Sequence, residues 1–253
     1  MKPLHPQGMT RRAAIGWGLS CAVLPVAALA QSRKRRRVPI SARGQDAISR
    51  VTGRLQFALS DAGLRLGAPL YLRIIKDQAR LEMWVEGKDG AFERLRSYKI
   101  CGSSSKLGPP RSPKSPRQPE GFYRIGVTDL RPQPVNYLGL RFGWPNAYDV
   151  AQGWSGGPSF LQAGCAREPH FGLTDQDCEE VYALVYHALM GGQSAVDVHI
   201  FPFAMNGLRM LSLGEGANTK FWRSLGPAWQ AFERTRQIPV VRVRGRRYVM
   251  AKG

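Results

Sequence analysis

Residues 174–193 read TDQDCEEVYALVYHALMGGQ, and this stretch sets the frame for the rest of the chain. Thr174 stands before the run and Asp177 follows three residues later, the spacing at which a hydroxyl and an acidic side chain cap a helix. Val181, Tyr182, Val185 and Leu189 recur at helical spacing, Cys178 lies on the same stripe, and Gly191 ends the pattern. The spacing predicts an amphipathic helix on a core, with Cys178 a buried free thiol and His187 at the surface.

The stretch just upstream, LQAGCAREPHFGLTD at 161–175, holds the pair Gly164-Cys165 and, five residues on, His170. A cysteine and a histidine close together in a loop are candidates for a thiol nucleophile and its base. PSFLQAG at 158–164 reads as a short strand entering that loop.

Working further outward, residues 45–66 carry Ile48, Val51, Leu55, Phe57, Leu59 and Leu64 at rough helical spacing, an N-terminal helix. From Pro69 to Cys101 the pattern alternates: Leu70, Leu72 and Ile74, a turn at Asp77-Gln78, Leu81, Met83 and Val85, a turn at 87–90, then FERLRSYKI. That is a β-meander. Residues 102–121, GSSSKLGPPRSPKSPRQPEG, form an irregular loop, long enough to suggest a function. FYRIGV at 122–127 and AVDVHIFPF at 195–203 read as strands, and GWPNAYD at 143–149 as a loop. Residues 218–237 read as a second helix with a break at Gly226-Pro227, and 240–250 as a closing hairpin. No repeat is present. The expected class is α+β, mainly β.

The chain has 253 residues, 43% apolar and 22% charged, which fits a globular domain and excludes a disordered one. Lys and Arg number 37 against 18 Asp and Glu, a net charge of +19. Such an excess favours polyanions: nucleic acid, anionic membrane or acidic wall polymer. Residues 1–30 read as a Tat-type export signal, with Arg11-Arg12, an apolar stretch interrupted by Pro25, and Ala28-Leu29-Ala30 at the cleavage end. Residues 31–44, with the run Arg33 to Arg37, read as a basic disordered linker, and 67–253 as the main domain. Export predicts a periplasmic protein with no transmembrane segment in the mature chain, and an oxidising compartment for Cys101, Cys165 and Cys178. Three cysteines allow at most one internal bridge.

The strings YLRIIKDQARLEMWV, SYKIC, PEGFY, WPNAYD, LTDQDCEEVYALV, ALMGGQ, VHIFPFAM, LGPAWQAFERTR and GRRYVM resemble the YkuD-type L,D-transpeptidase family, nearest its YafK-like murein branch. The likeness runs from about Pro69 to Lys252. It implies a YkuD-like β-sandwich with inserted and C-terminal helices. It also implies peptidoglycan stem peptides or peptidoglycan-anchored proteins as partners, and a cysteine thioester as the chemistry. No cofactor and no metal are expected; His170 with Cys165 is too small a ligand set for zinc.

The family motif begins His-Gly and ends Gly-Cys-Tyr-Ala-Met-Thr. With Thr174 and Asp175 anchoring its right end, Leu173 takes the Met place, Gly172 the Ala and Phe171 the Tyr. His170 then falls on the nucleophilic Cys, Pro169 on the Gly before it, Gln162 on the catalytic His and Ala163 on the Gly after that His. An imidazole is a poor acyl carrier, an amide cannot take a proton near neutral pH, and proline has no N–H for an oxyanion. On the substrate side Ser115-Pro116 and Gln118 depart from the family pattern, while Arg117, Pro119, Glu120, Gly121 and Tyr123 persist. Arg117, Glu120, Gly121, Tyr123 and Tyr148 are the expected substrate-binding residues.

Two readings follow. In one, the domain is catalytically degenerate and serves as a peptidoglycan-binding or regulatory partner. In the other, Cys165 is a relocated nucleophile with His170 or His199 as base, making an active murein L,D-transpeptidase or cross-link hydrolase. Against the second, Cys101 and Cys165 are both expected on one rim of the sandwich, where a disulfide would disarm Cys165. His199, in a strand, reads as a structural histidine.

Overall fold

Serine at position 41 starts the first helix earlier than its apolar stripe alone predicts. The Ser41 hydroxyl accepts the Gly44 N–H at 3.2 Å, and helix α1 spans Ala42–Asp61 rather than 45–66. Residues 42–44 are therefore helix, not linker. Ala47, Ile48, Val51, Leu55 and Leu59 are buried. Phe57, read on the same stripe, is 76% exposed, because two residues from Leu55 is half a turn away.

The computed structural model describes residues 38–102, 106–131, 137–165 and 170–251, all within the unit Arg33–Gly253. The export signal, the basic run Arg33 to Arg37 and Pro169 lie outside the described residues. No helix among the described residues is long and apolar enough to cross a membrane.

Strands β1 (Leu70–Ile75), β2 (Arg80–Glu86) and β3 (Phe92–Lys99) form the meander that the alternation predicts, with Leu72 opposite Met83. After the long loop comes β4 (Gly121–Ile125), then β5 (Leu130–Arg131) and β6 (Gly139–Phe142), two strands with no clear sequence signal because they are short. GWPNAYD is not all loop: Asn146 accepts the N–H groups of Tyr148 and Asp149 and starts helix α2, Ala147–Ala151. Strand β7 (Ser159–Ala163) is followed by β8 (Phe171–Leu173), a strand where the sequence suggested only loop.

Helix α3 spans Asp175–Met190, with the Thr174 hydroxyl accepting the Asp177 N–H at 3.1 Å. Strand β9 (Val196–Phe201), helix α4 (Gly207–Leu211), helix α5 (Thr219–Thr235) and the hairpin β10 (Val241–Arg244) and β11 (Arg247–Met250) complete the chain. Helix α5 continues through Gly226-Pro227, because Phe221, Leu225, Ala228, Trp229 and Phe232 bury along it and packing outweighs the proline penalty.

One sheet has the order β3-β2-β1-β9-β4, with β9 parallel to β1; the second has β5-β6-β7-β8, with β8 parallel to β7. The class is α+β. The main core joins residues of both sheets with α1 and α3. Strand β1 is buried throughout, since α5 covers its other face: Tyr71 meets Phe232 at 4.7 Å, and the Arg73 guanidinium lies 4.1 Å from the Trp229 ring while pairing with Glu82 and Glu233. His187 is half-buried between α1 and α3, with Nε2 3.3 Å from the Thr52 hydroxyl, rather than on the open surface.

Candidate functional site

Strands β7 and β8 lie side by side, and the loop joining them carries the motif. Their register sets Leu161 beside Phe171 and Gln162 beside Gly172. Leu161, Ala163, Phe171 and Leu173 enter the core, so Phe160, Gln162 and His170 belong to the other face. The Phe160 and His170 rings meet edge to face at 5.3 Å. Gln162 is 5% exposed and has glycines as both cross-strand neighbours, Gly139 and Gly172, leaving room around its amide. Gln162 and His170 thus share one face.

His170 is half-buried, its Nδ1 has no hydrogen-bond partner among the described residues, and burial lowers its pKa from 6.5. The imidazole is neutral at neutral pH. Gly164 leaves β7 with φ +84°, a conformation that suits glycine, and turns the chain to Cys165. Cys165 is bonded to Cys101. The Cys101 N–H donates to the Gly172 carbonyl at 2.9 Å, and Gly102 bridges Gly172. Gln118 completes the lacing: its buried amide donates to the carbonyls of Gly102, at 3.1 Å, and of His170. The long loop is stitched onto the motif by a disulfide and a side-chain amide.

Cys178, the remaining described cysteine, is buried in the core and its thiol pKa is pushed up by burial. His199 is 3% exposed, with Nδ1 3.0 Å from the Tyr71 hydroxyl, and burial pulls its pKa down to about 3. A pKa that low makes its imidazole a weak proton acceptor, and its hydrogen-bond partner is Tyr71. Among the described residues no group of three or more His, Cys, Asp or Glu side chains is arranged to hold a metal ion.

The expected substrate-binding residues separate into two kinds. Glu120 is fully buried: Oε1 accepts from Lys76 Nζ at 2.8 Å and the Gly108 N–H at 2.7 Å, and Oε2 from Trp222 Nε1 at 2.8 Å. Lys76 Nζ also donates to the Gln118 carbonyl at 2.9 Å. This knot ties both ends of the long loop to the end of β1 and to α5. Gly121 has φ +133°, and a Cβ there would lie 2.6 Å from the Tyr248 hydroxyl. Tyr123 is 2% exposed, its hydroxyl between the Glu120 carbonyl at 3.0 Å and Asp149 Oδ2 at 3.1 Å. Tyr148 stacks on Tyr248, centroids 4.2 Å apart at 14°. In this conformation Glu120 and Tyr123 have their polar side-chain groups taken up within the fold, while Tyr148 lines a hollow beside Tyr248.

Arg117 differs. It is half-buried, and among the described residues its Nε has no partner and no carboxylate pairs with its guanidinium. It directly precedes Gln118 and so lies in the segment laced to His170. Lys76 and Asp149 escaped sequence reading. A lysine closing the apolar run LYLRII is the signal that could have flagged Lys76; nothing distinguishes Asp149 from other capping acids.

No family model matches the chain. It is 35% identical over 187 residues to the L,D-transpeptidase-like protein YafK of Escherichia coli strain K12, covering 74% of this chain and 76% of that protein, and equally to YafK of strain O157:H7. Among solved structures, the K307A mutant of the helical cell shape determining protein Pgp2 from Campylobacter jejuni aligns with TM-score 0.42 and 17% identity, over 65% of this chain and 57% of Pgp2. Bd1075 from Bdellovibrio bacteriovorus aligns with TM-score 0.38 and 13% identity, over 66% of this chain and 57% of that one.

Proposed function

The chain belongs to the YafK-like L,D-transpeptidase family, and from that membership we propose that it is an exported, periplasmic protein that binds peptidoglycan stem peptides or a peptidoglycan-anchored protein without running the family's thioester reaction. Its role is binding or regulation in cell-wall metabolism. One observation supports this reading: Cys165, the described cysteine of the motif stretch, is spent in a disulfide with Cys101, and the family register puts an imidazole, His170, rather than a thiol at the nucleophile's place. Acyl transfer needs a thiolate and a base. Gln162 cannot accept the proton, and Cys178 is buried in the core with its thiol toward the Leu138 carbonyl. Arg117, with no carboxylate of its own, supports retained binding, since stem peptides carry carboxylates that a guanidinium pairs with.

The relocated-nucleophile reading has one observation in its favour: Cys165 is exposed, so a reductant can reach it. Intact mass after incubation with a carbapenem, which acylates the nucleophile of this family, tests both, with and without prior reduction. No mass gain under either condition, together with co-sedimentation with purified sacculi, is the expected result. A gain that disappears in Cys165→Ala would overturn the inactive reading, and a protein that neither reacts nor sediments would overturn both.

A further inference from the structure

A concave site of about 490 Å³ lies between the start of α5, helix α2 and the β10–β11 turn. Its charged lining is Lys220 and Arg223 from α5 and Arg246 and Arg247 from the hairpin, all four exposed, with no acidic side chain among them. None of the four has a carboxylate partner among the described residues. Arg50, Arg54, Arg73, Arg96, Arg124 and Arg141 pair with acids elsewhere in the fold; what sets the hollow apart is four such cations gathered around one concavity.

The floor of the site is aromatic. Tyr148 stacks on Tyr248, and the Phe221 ring lies 5.4 Å from Tyr148. One of the cations is also held. Arg246 adopts φ +64° in the hairpin turn, its carbonyl accepts Gln152 Nε2 at 2.8 Å, and its Nη2 lies 3.4 Å from Gln152 Oε1. Helix α2 thus fixes the turn that carries Arg246 and Arg247. Helix α5 begins at the same place with no side-chain hydrogen bond from its N-cap, so the positive end of the helix adds to the field.

Four like charges around one hollow repel unless an anion shares them. A carboxylate brings one charge on two oxygens; a phosphoryl group brings up to two charges on three acceptor oxygens, and arginine forks match it bidentately. We propose that this hollow is a binding site for a phosphoryl-bearing polyanion, held by Lys220, Arg223, Arg246 and Arg247, with its apolar or ring portion on Tyr148, Tyr248 and Phe221. The site is independent of whether the β7–β8 motif is active. Its ligand is either a soluble polyphosphate-type group or the headgroup of an anionic lipid.

The test uses the full chain at about 0.1 M salt, where diffuse surface fields are screened beyond roughly 10 Å. Inorganic tripolyphosphate is titrated calorimetrically, and phosphatidylcholine vesicles with and without phosphatidylglycerol are co-sedimented. The double variant Arg223→Gln, Arg247→Gln is compared with Arg242→Gln, Arg244→Gln, which removes the same charge from outside the hollow. The first pair is expected to weaken binding at least about tenfold, the loss of two charge-assisted contacts, and the second less than about twofold. Tripolyphosphate binding with that selectivity assigns a soluble ligand; selectivity seen with vesicles alone assigns a lipid headgroup. Equal losses in both pairs, or no binding of either probe, would overturn the proposal. Thermal melts of both variants, unchanged from the parent, show that folding is not the cause.

Discussion

Cys165 is bonded to Cys101 across a separation of 64 residues, with the α-carbons 5.0 Å apart. The bond joins the exit of β3 to the motif loop, beside the hydrogen bond from Cys101 N to Gly172 O. Closing a loop of this length restricts the unfolded chain by about 4 kcal/mol in the chain-entropy account. Replacing both cysteines by serine is expected to lower the urea unfolding free energy by roughly that amount. Alkylation followed by peptide mass mapping gives the chemical side of the same prediction. In the folded, unreduced chain neither cysteine is modified, and after mild reduction Cys165, which is exposed, is modified well before buried Cys178. Modified Cys165 without reduction would contradict the bridge.

The Lys76–Glu120 pair is fully buried and holds the long loop at both ends. Removing one partner of a buried pair strands the other charge, at a cost of roughly 3–5 kcal/mol. Glu120→Ala is expected to lose that much stability, whereas Arg117→Ala, at a half-buried guanidinium without a carboxylate partner, should melt near the parent and lose retention on sacculi. If instead Glu120→Ala folds normally and only binding is lost, Glu120 is a ligand contact rather than a frame residue.

Local signals made much of this fold legible. The Thr174 cap, the α3 stripe, the three-strand meander and the closing hairpin are all written in nearest-neighbour patterns, and each is where those patterns put it. Strands β5 and β8 are two and three residues long, too short for a period, and exist because of β6 and β7 beside them. The start of α1 depended on one serine, and α2 on one asparagine, inside stretches whose composition reads as linker and loop. At the site, sequence register brought Gln162 and His170 into view. It could not show that Glu120, Gly121 and Tyr123 are consumed by Lys76, Tyr248 and Asp149, because those partners are distant in the chain and meet only in the folded core.

Asp149 gives the fold a titratable weak point. Its Oδ2 accepts the Asn146 N–H at 2.9 Å and lies 3.1 Å from the Tyr123 hydroxyl, while Oδ1 has no partner. Burial pushes its pKa up from 3.8 to about 6, with the two hydrogen bonds opposing. The folded chain therefore holds this proton more tightly than the unfolded one. The stability it contributes is full below pH 3.8, falls as pH rises through about 6, and is flat above. The two-unit shift corresponds to about 3 kcal/mol. His199, held neutral by burial, acts oppositely, weakening the fold as pH drops from 6.5 toward about 3, so the parent curve mixes both. The difference between Asp149→Asn and the parent isolates the carboxyl. It is expected to shift in favour of the variant by roughly 2 kcal/mol between pH 4 and pH 7. A difference independent of pH would show that Asp149 is ionised in the fold throughout.

The register of β7 against β8 makes one constructive prediction about the motif. Because Gln162 pairs with Gly172 and Leu161 with Phe171, positions 162 and 170 share a face, as the proposed base and nucleophile places must. Gln162→His together with His170→Cys should return a thiol with a base beside it, and carbapenem should then add its mass to the peptide that contains position 170. His170→Cys alone should react more slowly, having no imidazole to take the proton. Pro169 still withholds a backbone N–H from the oxyanion, so adding Pro169→Gly should raise the acylation rate further. Intact-mass time courses on the three proteins rank them. If the triple variant folds, as judged by its melt, and remains unmodified, the assignment of residue 170 to the nucleophile's place is wrong, and with it the argument that this member lost its chemistry by substitution at these two positions.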